Sequence, residues 1–290
     1  MHDVGFWESS FLWLDAVAAA VIGALLLSYL GFYVVLTRNA FVSAAVSQLA
    51  ALGIVLAILL GASETDSVAA LVIGGQRPED ATPLLVGTAF GILGTALFAL
   101  PRGSRRVSTD ALLAIAVIAA SSSTLVCARY LTTDYQHVQA ALFGDAVVAS
   151  RDELIVLFAT AIGVGLLHLF FRDRFLLVVF DRNSGRAQGM ATGPWSLLLG
   201  LTVGLSIAVV TRSLGALPAF AYTVVPATGA LLLTSKLPTA LWIAAGVAVV
   251  SATVGYYLSF VLDLPTGPTM VTVTLLPLLP AAVLALVRRA

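Results

Sequence analysis

The chain has 290 residues, of which 60% are hydrophobic and only 10% charged, with a mean hydropathy of +1.03. That balance excludes an ordinary soluble domain and points to an all-α polytopic membrane protein, a single transmembrane domain over 1–290. Fifteen basic and fifteen acidic residues cancel, so no overall field draws in nucleic acid and charge has to be read locally.

Crossing about 30 Å of hydrocarbon takes about 20 apolar residues as helix, the form that satisfies its own backbone without water. Nine stretches answer this description in chain order: 11–36, 40–60, 83–100, 111–127, 154–171, 195–210, 214–234, 239–262 and 269–287. The third, fourth and sixth are the shortest. Ahead of the first, the segment 1–15 carries Asp3, Glu8 and Asp15 where a secretory signal has basic residues, so no removed leader is expected.

In the second span, Ala44 and Gln48 share one face, with Ser43 and Ser47 on the neighbouring strip. An amide at membrane depth must be paired or wet, which leaves two readings: a helix-to-helix hydrogen bond, or the polar lining of a translocation path. The pairs Gly87 with Gly91 and Gly200 with Gly204 would let helices approach closely. Cys127, the single cysteine, has no intrachain partner and reads as a small buried side chain. His168, one turn from the end of the fifth span, reads as an interfacial histidine with its polar edge among headgroups.

The segment 172–193 is the one dense polar stretch between apolar runs, with Arg172, Asp173, Arg174, Asp181, Arg182 and Arg186. It is too short for a soluble domain, so its expected role is to dock a partner. Nothing in the chain supplies energy: a phosphate-binding loop needs Gly-Lys-Ser/Thr, and the one lysine, Lys236, follows Ser235 without the glycines. The run at 73–77 has only a superficial likeness to an ATPase signature loop. With no paired carboxylates, histidine cluster or activated nucleophile at depth, the chain does not read as an enzyme. Near the C-terminal end, Asp263-Leu264-Pro265-Thr266-Gly267-Pro268 breaks an apolar run, and Asp263 is placed to cap the amides that follow.

Short loops set orientation through their Lys/Arg bias. An outside N-terminus puts eleven basic residues on the inner side (Arg38, Arg102, Arg105, Arg106, Arg172, Arg174, Arg182, Arg186, Lys236, Arg288 and Arg289) and four outside (Arg77, Arg129, Arg151 and Arg212). The expected topology is multi-pass, with the N-terminus outside and the C-terminus cytoplasmic.

Five segments in series carry a resemblance: Gly31-Phe32-Tyr33-Val34-Val35 leading to Arg38; Leu142-Phe143-Gly144-Asp145; Phe180-Asp181 through Ala187 and Gly189; Gly215 through Val225-Pro226-Ala227; and the Asp263 to Pro268 motif. Together they span nearly the whole chain and resemble the permease family of metal-ion ABC importers, which move zinc, manganese or iron(II). The resemblance implies a permease of the vitamin B12 and metal importer type in a bacterial inner membrane. The stretch from Asp181, Arg182 and Arg186 to Ala187 and Gly189 would then be a coupling helix seated in a separate ATPase subunit, which binds the ATP. It also implies a second permease copy, identical or not, an extracytoplasmic metal-binding protein, and alternating access within the lipid bilayer.

One position departs from the family pattern. Where Asp-x-x-Ser-His is usual, Ala44 and Gln48 flank a retained Ser47, so a carboxylate and an imidazole are replaced by a methyl and an amide. Three explanations stay open: a metal passes without these side chains touching it, the cargo is a chelate or other solute, or a second permease supplies the ligands. An ion-coupled secondary transporter is the rival class, but it needs a charged residue at depth that the spans scarcely offer.

Overall fold

The computed structural model describes residues 10–37, 40–59, 78–99, 109–128 and 151–287, and among these there is no strand. The helices are α1 (Ser10–Leu36), α2 (Ala40–Leu59), α3 (Pro78–Ala99), α4 (Thr109–Ala128), α5 (Arg151–Phe170), α6 (Arg172–Phe180), α7 (Arg182–Ala187), α8 (Thr192–Leu214), α9 (Ala216–Leu233), α10 (Leu237–Leu262), α11 (Thr266–Leu275) and α12 (Leu278–Val287). Each predicted span falls on one helix except the last, 269–287, which falls on two. Eight stretches of the described residues are long and apolar enough to cross a membrane, α11 and α12 counting as one, and the ninth, within α3, has a shorter apolar core at Leu85–Ala96.

Helix α1 sits at the centre, packed on α9, α10 and α5, while α2 gathers α3, α4 and α8. The main core runs through Leu27 and Leu30 of α1, Ile207 and Val210 of α8, and Tyr222 of α9. Without a hydrophobic drive between helices in lipid, close packing of small residues holds such a bundle. A Cβ at Gly31 would lie 1.9 Å from the Thr223 carbonyl oxygen, so α1 and α9 cross backbone against backbone. A Cβ at Gly204 would lie 2.0 Å from Thr95 Oγ1, and Gly91 faces the methyl of Ala208, so these glycines serve the α3–α8 contact, whereas Gly87 packs α3 on α2, against Ile54 and the Ala50 carbonyl. Cys127 is partly buried against Ala51, Ile54, Val55 and Ala216, and is a free thiol as expected.

Prolines shape the C-terminal part. Pro226 lies inside α9, and the span predicted at 269–287 begins three residues earlier and is broken between α11 and α12 at Leu276 and Pro277. Pro277 has no N–H to continue the ladder. The expected cap by Asp263 is not what forms. Asp263 instead ends α10 from the left-handed region (φ 53°), its N–H donating to the Ser259 carbonyl. Ser259 holds the turn: its hydroxyl donates to the Leu264 carbonyl at 2.6 Å and lies 3.0 Å from Thr266 Oγ1. The sequence expectation favoured a carboxylate cap, but no side chain caps the start of α11, and Ser259 ties the turn through a carbonyl and a hydroxyl instead of the amides.

Candidate coupling surface and translocation path

The polar segment 172–193 is two helices rather than a loop. In α6, Phe175 and Val178 turn inward while Arg172, Asp173 and Arg174 stay exposed, so its apolar side covers the end of the bundle. Helix α7 has six residues, far below the length at which an isolated helix is stable in water. Its ends are therefore fixed by specific bonds. The Asp181 carboxylate accepts from the Ser184 N–H at 2.9 Å and from the Ser184 hydroxyl. At the other end the Met190 N–H reaches the Gly185 carbonyl and the Gly189 N–H reaches that of Arg186, both at 3.0 Å, with Gly189 at φ 78°. This paired closure by a left-handed glycine is the Schellman arrangement. Arg186 Nε donates to Thr192 Oγ1 at 3.3 Å, tying α7 to the start of α8. The face left outward presents Asp181, Asn183, Arg186, Ala187, Gln188 and Gly189, all exposed.

Hydrogen bonding from the Ser184 hydroxyl, and then from the Ser184 N–H, holds the Asp181 carboxyl below the usual carboxylate range. A depressed folded value contributes stability that is present above the ordinary value near about 4 and is lost as pH falls through the folded value. The order of α7 is accordingly expected to be insensitive to pH around neutrality and to weaken in acid. Asp181→Asn should flatten that acid dependence, read as protease protection of 181–189 against pH.

Behind α6 lies a feature that sequence reasoning misplaced. His168 is fully buried, not interfacial. Its ring stacks on Phe175 (centroids 4.5 Å) and meets the edges of Tyr33 (5.1 Å) and Tyr29 (5.7 Å), while Nε2 lies 2.9 Å from Thr202 Oγ1. The Thr202 hydroxyl already donates to the Leu199 carbonyl at 2.9 Å, so Nε2 is the donor to Thr202 and Nδ1 carries the lone pair. Trp195 extends the cluster toward Phe171 and Phe175, with the Arg174 guanidinium 4.8 Å from its ring centroid. One imidazole thus joins α1, α5, α6 and α8 directly beneath the α6–α7 unit. The misplacement came from treating α5 as ending in open headgroups, whereas α6 folds back and roofs the ring.

The predicted path residues lie elsewhere, on α2. Ser43 and Ser47 are fully buried and their hydroxyls donate to the Ala40 and Ala44 carbonyls at 2.6 and 3.0 Å, so neither offers its proton outward. Ala44 is nearly buried and Gln48 partly exposed. Gln48 Oε1 is buried without a hydrogen-bond partner among the described residues. No group of three or more His, Cys, Asp or Glu side chains that could hold a metal occurs among those residues. The Asp263 to Pro268 motif, with Pro265, Thr266, Gly267 and Pro268 at the α10–α11 turn, and Pro226 within α9, are not brought together with α7. Leu142 through Asp145 and the run 73–77 lie outside the described residues.

Sequence reasoning missed an ion pair. Arg212 Nε lies 2.7 Å from Glu153 Oε1, with both side chains largely buried. It closes the end of the bundle remote from α7, joining the start of α5 to the end of α8. Alternation of span direction was the available signal, since it puts both residues at one end.

The sequence profile of the ABC 3 transport family matches residues 10–285, nearly the full described bundle. The chain belongs to the ABC 3 transport family. Among relatives, a manganese transport system membrane protein of Halalkalibacterium halodurans is 29% identical over 265 residues, covering 89% of this chain and 82% of the relative. A zinc transport system membrane protein of Treponema pallidum is 25% identical, covering 84% and 78%. Among solved structures, PsaBC from Streptococcus pneumoniae in complex with a Fab superposes with a TM-score of 0.75 at 17% identity, covering 92% of this chain and 90% of that one. The likeness in structure establishes a shared fold. As a member of the ABC 3 transport family, the chain is a multi-pass permease subunit rather than an enzyme.

Proposed function

We propose that this chain is the permease of an ATP-binding-cassette importer that moves a divalent transition metal, zinc, manganese or iron(II), by alternating access. The observation that carries the coupling part is α7: a helix too short to stand alone, pinned at both ends and projected from the bundle with an exposed polar face. A separate ATPase seats on Asp181, Arg182, Arg186, Ala187 and Gly189 and supplies the hydrolysis. The N-terminus lies outside and the C-terminus in the cytoplasm. An extracytoplasmic metal-binding protein delivers cargo, and a second permease copy completes the pathway.

Within this reading Gln48 is the path residue. Its unpartnered amide oxygen suits a hydrated or briefly held cation, an oxygen-rich lining asking less of geometry than a His and carboxylate cage. With Ala44 in place of a carboxylate, cargo is held weakly and released readily. A chelate cargo is the second reading, favoured by the absence of a metal-ligating trio among the described residues.

The test is ATP-driven uptake of radiolabelled manganese or zinc in vesicles holding the permease, its cognate ATPase and its binding protein. Gln48→Ala is expected to lower uptake about tenfold, the loss of one ion–dipole contact worth roughly 1.5 kcal/mol, with ATPase assembly unchanged. Uptake of a metal chelate but of neither free metal would overturn the metal assignment in favour of the chelate.

A further inference from the structure

We propose a second binding site on this permease, for the phosphate headgroup of an anionic phospholipid in the leaflet beside α6 and α7. A shallow cleft opens between α1, α6 and α10, lined by Tyr29, Phe32, Tyr33, Leu36, Arg172, Leu176, Leu237 and Leu241. None of this lining belongs to the α7 face or to α2.

The chemistry of the cleft divides into two parts. Its polar part is Arg172 and two phenols. Arg172 is exposed and has no carboxylate partner among the described residues. A guanidinium offers a planar fork of donors matched to phosphate oxygens. The Tyr29 and Tyr33 hydroxyls lie 3.0 Å apart. Their mutual bond uses one proton, so the second hydroxyl keeps a proton to donate. The apolar part, Phe32, Leu36, Leu176, Leu237 and Leu241, is shaped for acyl chain rather than for a free anion in water.

Two further observations place a lipid surface here. Trp242, next to Leu241 on α10, is 79% exposed, and an exposed tryptophan near the end of a spanning helix sits at headgroup level. Lys236, immediately before α10, is exposed as well, adding to the positive charge that an anionic leaflet attracts. Arg174, two residues on and on the opposite side of α6, is already occupied by Trp195, which leaves Arg172 as the guanidinium for the headgroup. Since Tyr33 also contacts His168, an occupied cleft would brace α1 against α6.

The full chain, purified and placed in nanodiscs of phosphatidylcholine with or without phosphatidylglycerol, gives the test through its unfolding temperature. Phosphatidylglycerol is expected to raise it by about 5 °C. Arg172→Gln should remove that rise, and the ring-preserving pair Tyr29→Phe with Tyr33→Phe should reduce it by at least half. Arg151→Gln, which removes the same charge at the far end of α5, should retain it. Equal unfolding temperatures in the two lipids, or a full phosphatidylglycerol response in Arg172→Gln, would overturn the site. So would an equal rise with glycerol phosphate alone in phosphatidylcholine, since that would make it a site for a free anion.

Discussion

Gly189→Val is expected to cut ATP-driven transport about tenfold while leaving the membrane bundle folded. Gly189 closes α7 at φ 78°, a region that costs a residue with a side chain roughly 1–2 kcal/mol, and more when it is β-branched. Helix α7 has no reserve against such a cost, because six residues make too few internal bonds to hold a helix and its order rests on the Asp181 cap and the closure through Gly189 and Met190. A penalty near 1.4 kcal/mol shifts a local equilibrium tenfold. No side chain lies within reach of a Cβ at Gly189, so the effect comes from backbone strain rather than collision. Unfolding temperature and yield should match the wild-type chain, with ATPase recruitment and uptake falling together. Gly189→Asn, which tolerates the left-handed region, should recover most of the activity.

The second large effect falls on His168. His168→Ala is expected to destabilise the bundle on the order of 3 kcal/mol, because it empties a ring-sized space between Phe175, Tyr33 and Thr202 that rigid helices cannot close. His168→Phe keeps the volume and loses the Nε2–H bond to Thr202, a difference near 1 kcal/mol. Thermal unfolding should rank wild type above His168→Phe and both well above His168→Ala. Uptake divides the two roles of the ring. If His168 only fills space, His168→Phe transports like wild type; as the joint between α6 and α8, it should lose transport out of proportion to its stability.

Much of the bundle was readable because run length and hydropathy are local quantities. Spans such as 11–36 and 239–262 need nothing beyond their own residues to be recognised as helices, and they match α1 and α10 within two residues. The six-residue α7 was legible for a different reason: its polar residues stand out between apolar runs, and the stretch from Asp181 to Gly189 resembles a coupling helix, whereas the bonds that close its two ends emerge only in the structure. What stayed hidden depends on where the chain goes next. His168 is buried because α6 reverses over it, the Glu153–Arg212 pair joins residues 59 positions apart, and Asp263 turns the backbone instead of capping it. The cleft at Tyr29 and Arg172 unites three helices no local pattern connects. For the proposed path, serines and an amide on α2 were visible in sequence, but only packing shows that both serine protons are spent on α2 itself while Gln48 Oε1 has no partner among the described residues.

That α7 is the seat of the ATPase is tested most directly by cross-linking. A single reactive cysteine is introduced by Ala187→Cys or, at the opposite end of the bundle, by Asp263→Cys, each with Cys127→Ser, and the chain is treated with a short thiol-directed cross-linker in the presence of its ATPase. Both positions are exposed. A permease–ATPase adduct is expected from Ala187→Cys and none from Asp263→Cys. An adduct from Asp263→Cys, or none from Ala187→Cys in an assembled complex that still hydrolyses ATP, would contradict that assignment.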